Sequence, residues 1–348
     1  MEHILKAAVD KGATVIHIKA GDVFRARING VFEPLTKQAL TPEQTKQIAA
    51  DLIPNVVDRK NIDSIRDYDC SWGAAGIGRF RVNILRQRSS FMIVLRAIPF
   101  DVPTIDKLEL PEVVKTIAEH ERGLVLLAGA AGSGRSSTAA AILQHINSSS
   151  ARHVVTLENP IEFIHRDIQS TMTQREVGVD TDTMAAGARA TLRQDADVVY
   201  FSELSDADVA DAALAAAETG SLVVTSVQAH NTSSAISRFA AMFPAHEREL
   251  VRARLAENIR AVLCQRLLAR TGGEGRVPAV EVLLGIPQIS DALRQRNRAG
   301  EIEHLMDLHG FGTGMQTMKA AVSGLVTKGV VASDSALSLR GGDETTSF

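Results

Sequence analysis

The sequence predicts a two-domain α/β protein: a small antiparallel α+β domain, then a larger domain with a doubly wound parallel sheet. Three observations carry this. The chain has 348 residues, about twice a typical domain. Its first hundred residues are short alternating runs broken by turns. From about residue 112, helical windows alternate with continuous apolar strands: GLVLLAG at 123–129, HVVTL at 153–157, DVVYFS at 197–202 and SLVVTSV at 221–227. Continuous apolar strands separated by helices are the pattern of a parallel sheet covered on both faces.

The elements follow in order. Residues 2–11 read as a helix. VIHIKA at 15–20, VFRARI at 23–28 and VFEPL at 31–35 alternate like strands, and Asn29-Gly30 is a two-residue hairpin signal. Thr41-Pro42-Glu43-Gln44 marks a helix start, with Thr41 as N-cap, Pro42 at the first position and Gln44 as the return partner. Tyr68–Trp72, Gly78–Ile84 and Ser90–Ile98 read as strands. This gives domains at 1–98 and 112–335, a linker at 99–111 stiffened by Pro99 and Pro103, and a polar tail at 336–348 expected to be disordered. Residues 245–270 and 287–330 are expected to be mainly helical. Cys264 falls in such an apolar helical window and is expected to be buried and inert.

Composition excludes several classes. With 45% hydrophobic residues the chain is too apolar for a disordered one. With 38 basic and 41 acidic residues, bulk charge gives no case for nucleic acid or an anionic membrane. Two distant cysteines, Cys70 and Cys264, exclude a disulfide framework and fit a reducing cytoplasm. The N-terminus MEHILKAAVDKG lacks the pattern of a signal peptide, and no apolar stretch approaches the ~20 residues of a membrane span. His17, His153 and His165 lack metal-ligand spacing and read as packed or surface residues. The helix Arg248–Arg260 and the basic cluster Arg294–Arg298 read as solvated or partner-facing surfaces.

The strongest chemical signal is GAAGSGRSST at 129–138. It follows an apolar strand and opens a helix, which is the context of a P-loop. Gly129, Gly132 and Gly134 let backbone N–H groups around Ser133 turn inward and cradle a phosphate. Ser136 is placed to bind Mg²⁺, and Ser137 and Thr138 to reach an α-phosphate. Arg135 stands where the strict pattern has lysine; it keeps the charge as a bulkier planar fork. The plain alternative is a glycine-rich turn that binds nothing. Triphosphate chemistry also needs acidic groups near the metal and the attacking water. Glu203 follows one predicted strand, and Glu158 and Glu162 another, at the carboxyl edge where such sheets place ligands. A lone glutamate of this kind is otherwise a solvated loop residue.

Together these segments resemble the secretion ATPase superfamily, and within it the type IV pilus retraction (twitching-motility) ATPases, the PilT family. The resemblance spans residues 2–335. ATVIHIKAG at 13–21 is similar to SDLHLSAG, GRFRVNILRQR at 78–88 to the ARFRVN strand, and GAAGSGRSST to GPTGSGKSTT. TLENPIEFIH at 156–165 resembles the acidic box TxEDPIEFxH; QREVGVDT at 174–181 and AAAETGSLV at 215–223 have close counterparts. TLRQDADVVYFSEL at 191–204 resembles the Walker B segment, and GMQTMKAAVSGLVTKGVV at 314–331 the C-terminal helices.

The resemblance implies a P-loop (RecA-like) ATPase domain behind an N-terminal α+β (PAS-like) domain, with ATP and Mg²⁺ as ligands. It implies that Glu162 activates the attacking water, that Glu203 is the Walker B glutamate supporting Mg²⁺ with Ser136, and that Arg81 and Arg96 face the nucleotide of a neighbouring subunit. It further implies a homo-hexamer in the cytoplasm, coupling ATP turnover to interdomain motion. Its partner would be an inner-membrane pilus platform protein or a paralogous pilus ATPase. The chain departs from the family's pattern at Arg135 (lysine), Asn159 (aspartate), Ser205 (arginine), Ile16 (aspartate) and Ser290 (arginine in the AIRNLIRE string, here QISDALRQ). The His box reads SVQAHN, with Gln228 at the histidine position and His230 two residues on. Three function classes therefore stand: a hexameric motor ATPase, a weakened or inactive paralogue that binds nucleotide and regulates an active one, and a nucleic-acid-stimulated ATPase. Near-neutral charge and the lack of a basic, aromatic-interleaved stripe disfavour the third.

Overall fold

The computed structural model describes residues 1–28, 31–74, 76–98, 101–273, 275–295 and 300–334. The Asn29-Gly30 hairpin, the 336–348 tail and most of the Arg294–Arg298 cluster lie outside the described residues. The chain forms two compact units. Unit 1 comprises Met1–Val102, Asn159–Ile164 and Glu176–Asp182; unit 2 comprises the remainder.

Unit 1 contains α1 (Glu2–Asp10), β1 (Ala13–Lys19), β2 (Arg25–Ile28), β3 (Val31–Pro34), α2 (Pro42–Leu52), α3 (Val56–Lys60), β4 (Asp67–Ala74), β5 (Gly78–Gln87) and β6 (Ser90–Ile98). The strands form one antiparallel sheet in the order β3-β2-β1-β6-β5-β4. Alternation sets its faces. Ile16 and Ile18 of β1, Phe80, Val82 and Ile84 of β5, and Phe91, Ile93 and Leu95 of β6 are buried against α1 and α2 in one core. α2 starts as its sequence predicts: Thr41 accepts from the Gln44 backbone and the Gln44 side chain accepts from the Thr41 backbone.

The three segments of unit 1 meet at a single carboxylate oxygen. Glu176 Oε2 accepts from Arg79 NH2 (2.6 Å), Ser71 Oγ (2.8 Å) and the Ile161 backbone N–H (3.1 Å). Glu176 is only 2% exposed. Its own N–H donates to Asp180 Oδ2 at 2.8 Å, holding the following turn. Charge-assisted bonds of this kind are about twice as strong as neutral ones.

Unit 2 contains α4 (Val113–Ala118), β7 (Gly123–Ala128), α5 (Arg135–Ser149), β8 (His153–Glu158), β9 (Thr171–Glu176, whose last residue begins the third segment of unit 1), α6 (Met184–Thr191) and β10 (Val198–Phe201). There follow α7 (Ala207–Thr219), β11 (Leu222–Val227), α8 (Thr232–Ala241), α9 (Arg248–Asn258), β12 (Ile259–Ala269), β13 (Arg276–Leu284), α10 (Pro287–Arg294), α11 (Ile302–His309) and α12 (Met318–Thr327). The sheet order is β13-β12-β7-β11-β10-β8-β9. β12, β7, β11, β10 and β8 run parallel, and β13 returns antiparallel to β12. All residues of β7 and β11 are buried, which is why they read as unbroken apolar runs. The next strand in sequence, β8, lies on one side of β7 and the last parallel strand, β12, on the other. β7 is thus the switch point, where open α/β sheets place their ligands.

One expected region is corrected. Residues 245–270 are helical only to Asn258; 259–269 is strand β12 and 276–284 is β13. No glycine or proline separates α9 from β12, so the helical pattern runs past its true end. Cys264 is therefore a strand residue. It is buried, and burial pushes its thiol up to about 12.

Replacing Glu176 by alanine leaves Arg79, Ser71 and the Ile161 N–H without their shared acceptor. Arg79 is 30% exposed and can recover water, so the cost is that of the lost charged hydrogen bonds, about 2–3 kcal/mol. Urea unfolding of Glu176→Ala is expected to show that loss; a midpoint unchanged from wild type would contradict it.

Candidate functional site

The site is built from the loop between β7 and α5. Gly129, Gly132 and Gly134 all have positive φ (148°, 76° and 91°). At two of them, space as well as torsion requires glycine. A Cβ on Gly129 would sit 2.3 Å from Ser133 Oγ and 2.7 Å from the Gln265 carbonyl; one on Gly134 would sit 2.8 Å from Gln265 Nε2. The chain then enters α5, whose N-cap is Gly134. No side chain caps this end and no acidic residue occupies its first turn. The N-terminal N–H groups of a 15-residue helix thus remain available to an anion, with about half a positive charge from the helix dipole.

Residues 133–138 divide by burial. Ser133 is buried, and its Oγ has no hydrogen-bond partner among the described residues. Arg135, Ser136 and Ser137 are half-buried. Thr138 is buried, and its hydroxyl donates to Gln265 Oε1 at 2.8 Å. Gln265 Nε2 in turn donates to the Ser133 carbonyl at 2.5 Å.

Beside the loop lies a cleft of about 530 Å³, lined in part by Arg135, Glu203, Ser205, Gln228 and Arg238. The strand ends bring them there: Glu203 follows β10, Gln228 follows β11, and Arg238 comes from α8. Glu203, Gln228 and Arg238 are exposed and make no hydrogen bond or ion pair among the described residues. Gln228, at the His-box histidine position, lines this cleft. His230 is not among its lining residues; its backbone N–H donates to Ser234 Oγ (3.2 Å) and its carbonyl accepts from Arg266 (3.3 Å).

At the end of β8, Glu158 is buried rather than solvated. Its Oε1 accepts from Thr156 Oγ1 (2.7 Å) and from Gln174 Nε2 (3.1 Å). Gln174 Oε1 accepts from the His165 N–H at 2.8 Å. His165 Nδ1 lies 3.2 Å from Gln144 Oε1, which puts the ring proton on Nδ1. Burial drives the His165 imidazole down from the ordinary 6.5 to about 4, so it is neutral at pH 7.

The other candidates lie within unit 1. Glu162, Pro160 and Phe163 share a cavity of about 160 Å³ with Arg81 and Arg96. Arg81 on β5 and Arg96 on β6 are direct cross-strand partners. Like charges in that register repel, and neither arginine has an ion-pair partner among the described residues. Arg79, two residues before Arg81 and on the same face, is neutralised by Glu176. Unit 1 thus presents two guanidiniums side by side, with the Glu162 carboxylate in the same cavity.

The residues fit a nucleotide. The loop offers uncapped N–H groups and an unpartnered buried hydroxyl, and Arg135 supplies charge. Among the described residues no three His, Cys, Asp or Glu groups are arranged to hold a metal on their own. Mg²⁺ needs less, since it takes one or two protein oxygens and completes its shell with phosphate and water; Ser136 and Glu203 are the residues that would supply them. Two polar residues at the site escaped sequence reasoning. Arg238 had no motif to mark it. Gln265 was hidden by the helical pattern that runs into β12, though a lone amide in a buried apolar strand was the available signal.

Comparison with known proteins gives one consistent result. Residues 1–299 match the family described as "Type II/IV secretion system protein". The "Type IV pilus ATPase PilU" of Pseudomonas aeruginosa is 36% identical over 97% of this chain and 87% of its own length. The "Type IV pilus retractation ATPase PilT" of the same organism is 34% identical over 96% of each. A solved structure, "Crystal Structure of the Pilus Retraction Motor PilT and Bound ADP", superposes with a TM-score of 0.88 at 33% identity, covering 99% of this chain and 97% of that one. No helix among the described residues is long and apolar enough to cross a membrane.

The depressed His165 pKa has a signed consequence. The unfolded chain takes up a proton near pH 6.5 that folded His165 refuses until about pH 4. Its contribution is therefore complete above pH 6.5 and lost as pH falls through that window, by on the order of 2–3 kcal/mol. Urea midpoints measured between pH 7 and pH 4.5 are expected to fall less steeply in His165→Gln, whose amide never charges, than in wild type.

Proposed function

Because the chain belongs to the Type II/IV secretion system protein family, we propose that it is an ATP-binding, ATP-hydrolysing motor subunit of the type IV pilus kind. The observation that carries this reading is the glycine loop closing on an uncapped helix N-terminus, beside a cleft holding Arg135, Glu203 and Gln228. The ADP bound in the PilT crystal structure supports the same ligand class for this chain.

In this reading the backbone N–H groups of Gly132, Gly134, Arg135 and Ser136 bind the β-phosphate, Ser137 lines the α-phosphate side, and Arg135 neutralises the terminal phosphate; the Ser133 N–H donates to the Ala130 carbonyl and the buried Thr138 hydroxyl to Gln265, so these two shape the loop. Ser136 and Glu203 would hold Mg²⁺, which when bound would supply Lewis-acid stabilisation of the phosphate charge. Glu162 accepts a proton from the attacking water. Arg81 and Arg96 act in trans on the nucleotide of the next subunit of a homo-hexamer; their side-by-side pairing supports such a role. Turnover is coupled to motion between the two domains. The ring works in the cytoplasm on an inner-membrane pilus platform protein or a paralogous pilus ATPase, without nucleic acid.

A second reading has its own support. Arg135 replaces the compact lysine with a fork that fits the transition state less closely, and Gln228 brings to the cleft a side chain that cannot titrate. Both fit a paralogue that binds nucleotide and regulates an active ATPase while turning over slowly itself.

Steady-state ATP hydrolysis and MgATP affinity, measured together, separate the two. The motor reading expects turnover in wild type, a fall of at least about 10²-fold in kcat for Glu162→Gln, and little change in affinity. A wild type that binds MgATP without turnover, rescued by Arg135→Lys, would place the defect at that one contact. Failure of the lysine to restore turnover would favour the regulatory subunit.

A further inference from the structure

We infer that Gln265 is a positioning residue of the phosphate loop, acting through the Ser133 carbonyl and the Thr138 hydroxyl; this rests on the reading of the loop as a nucleotide site. β12 pairs in parallel with β7, and Cys264 stands opposite Ala128, the last residue before the loop. The next residue, Gln265, therefore projects beside the loop itself. It is 2% exposed and meets the loop at four points. Its carbonyl closes on Gly129, its amide nitrogen lies against Gly134 and donates to the Ser133 carbonyl, and its amide oxygen accepts from Thr138.

The orientation of the amide follows from chemistry. The Ser133 carbonyl can only accept, so the Gln265 nitrogen must face it. The Gln265 oxygen then faces Thr138, and Thr138 must donate. Two results follow. The carbonyl at the crown of the loop is tied to β12 by a donor, so this oxygen is already engaged and repels an incoming anion less. The single hydroxyl proton of Thr138 is spent on Gln265, so Thr138 shapes the loop while the donors to phosphate are the backbone N–H groups with Ser136 and Ser137. The neighbours of Gln265 engage a different loop: Cys264 Sγ lies 3.9 Å from the Ala229 carbonyl, and Arg266 donates to the His230 carbonyl. Three consecutive residues of one strand thus touch both the phosphate loop and the Gln228–His230 segment.

The test uses the full-length protein, MgADP binding by calorimetry, and amide hydrogen exchange of residues 130–137 without nucleotide. Gln265→Met keeps the volume and removes both bonds. It is expected to raise loop exchange and weaken MgADP at least tenfold. Thr138→Val is expected to do part of the same, and the double variant to be no weaker than the worse single one, because both break one network. Gln265→Glu sets an acceptor against the Ser133 carbonyl. Its binding relative to wild type is expected to recover as pH falls and the carboxyl protonates, a response that a purely packing role would not produce. Unchanged loop exchange with MgADP affinity within twofold of wild type in both Gln265 variants overturns the proposal. Should Gln265→Met fail to fold, Thr138→Val and Gln265→Glu carry the same comparison. A wild type that binds neither MgADP nor MgATP sinks the nucleotide reading, and loop exchange in the nucleotide-free variants still decides the role of Gln265.

Discussion

A backbone read as offering several N–H groups to one anion has few of them left to hold itself in shape. That constraint governs the larger unit. The segment from Gly129 to Gly134 takes positive φ at three glycines and lacks a capping side chain where it enters α5, so its form is imposed from outside. β7 fixes one end through parallel pairing on both sides, α5 fixes the other, and the buried amide of Gln265 holds the middle from a neighbouring strand. Dense apolar packing in β7 and β11 serves the same end, because a loop held from three sides is only as well placed as the elements that hold it.

Unit 1 solves the opposite problem, presenting positive charge while remaining folded. Its core is apolar and ordinary. Its other face carries Arg79, Arg81 and Arg96 within one short stretch of paired strand. One of the three is neutralised by a buried carboxylate that also gathers the chain segments; the other two remain adjacent, without an ion-pair partner among the described residues. A sheet built for stability alone would not leave like charges in register, so the cost points to a use.

Much of this was legible in the residues. The parallel strands announced themselves as apolar runs because both faces are covered, and the Thr41 capping box and the glycine loop are local signals with local causes. What stayed hidden was non-local. α9 runs into β12 with nothing to break the helical pattern, and only pairing with β7 makes 259–269 a strand. Glu158 looked like a loop carboxylate until Thr156 and Gln174 were seen to bind it in the interior. Gln265 is an amide among apolar residues, and its partners stand 127 and 132 positions away in the chain. No window of neighbouring residues holds that information.

The three-segment construction of unit 1 bears on how the protein is made. A ribosome has delivered the whole antiparallel sheet by residue 98, yet the carboxylate that neutralises Arg79 arrives only at residue 176. Between them the chain has already laid down β7, α5 and β8 of unit 2. The nascent first unit must wait with a half-buried, unanswered cation while its neighbour begins to form. Neither unit can be released from synthesis complete before the other has started, and a gene cut neatly after the first hundred codons would yield a sheet missing its last ion pair.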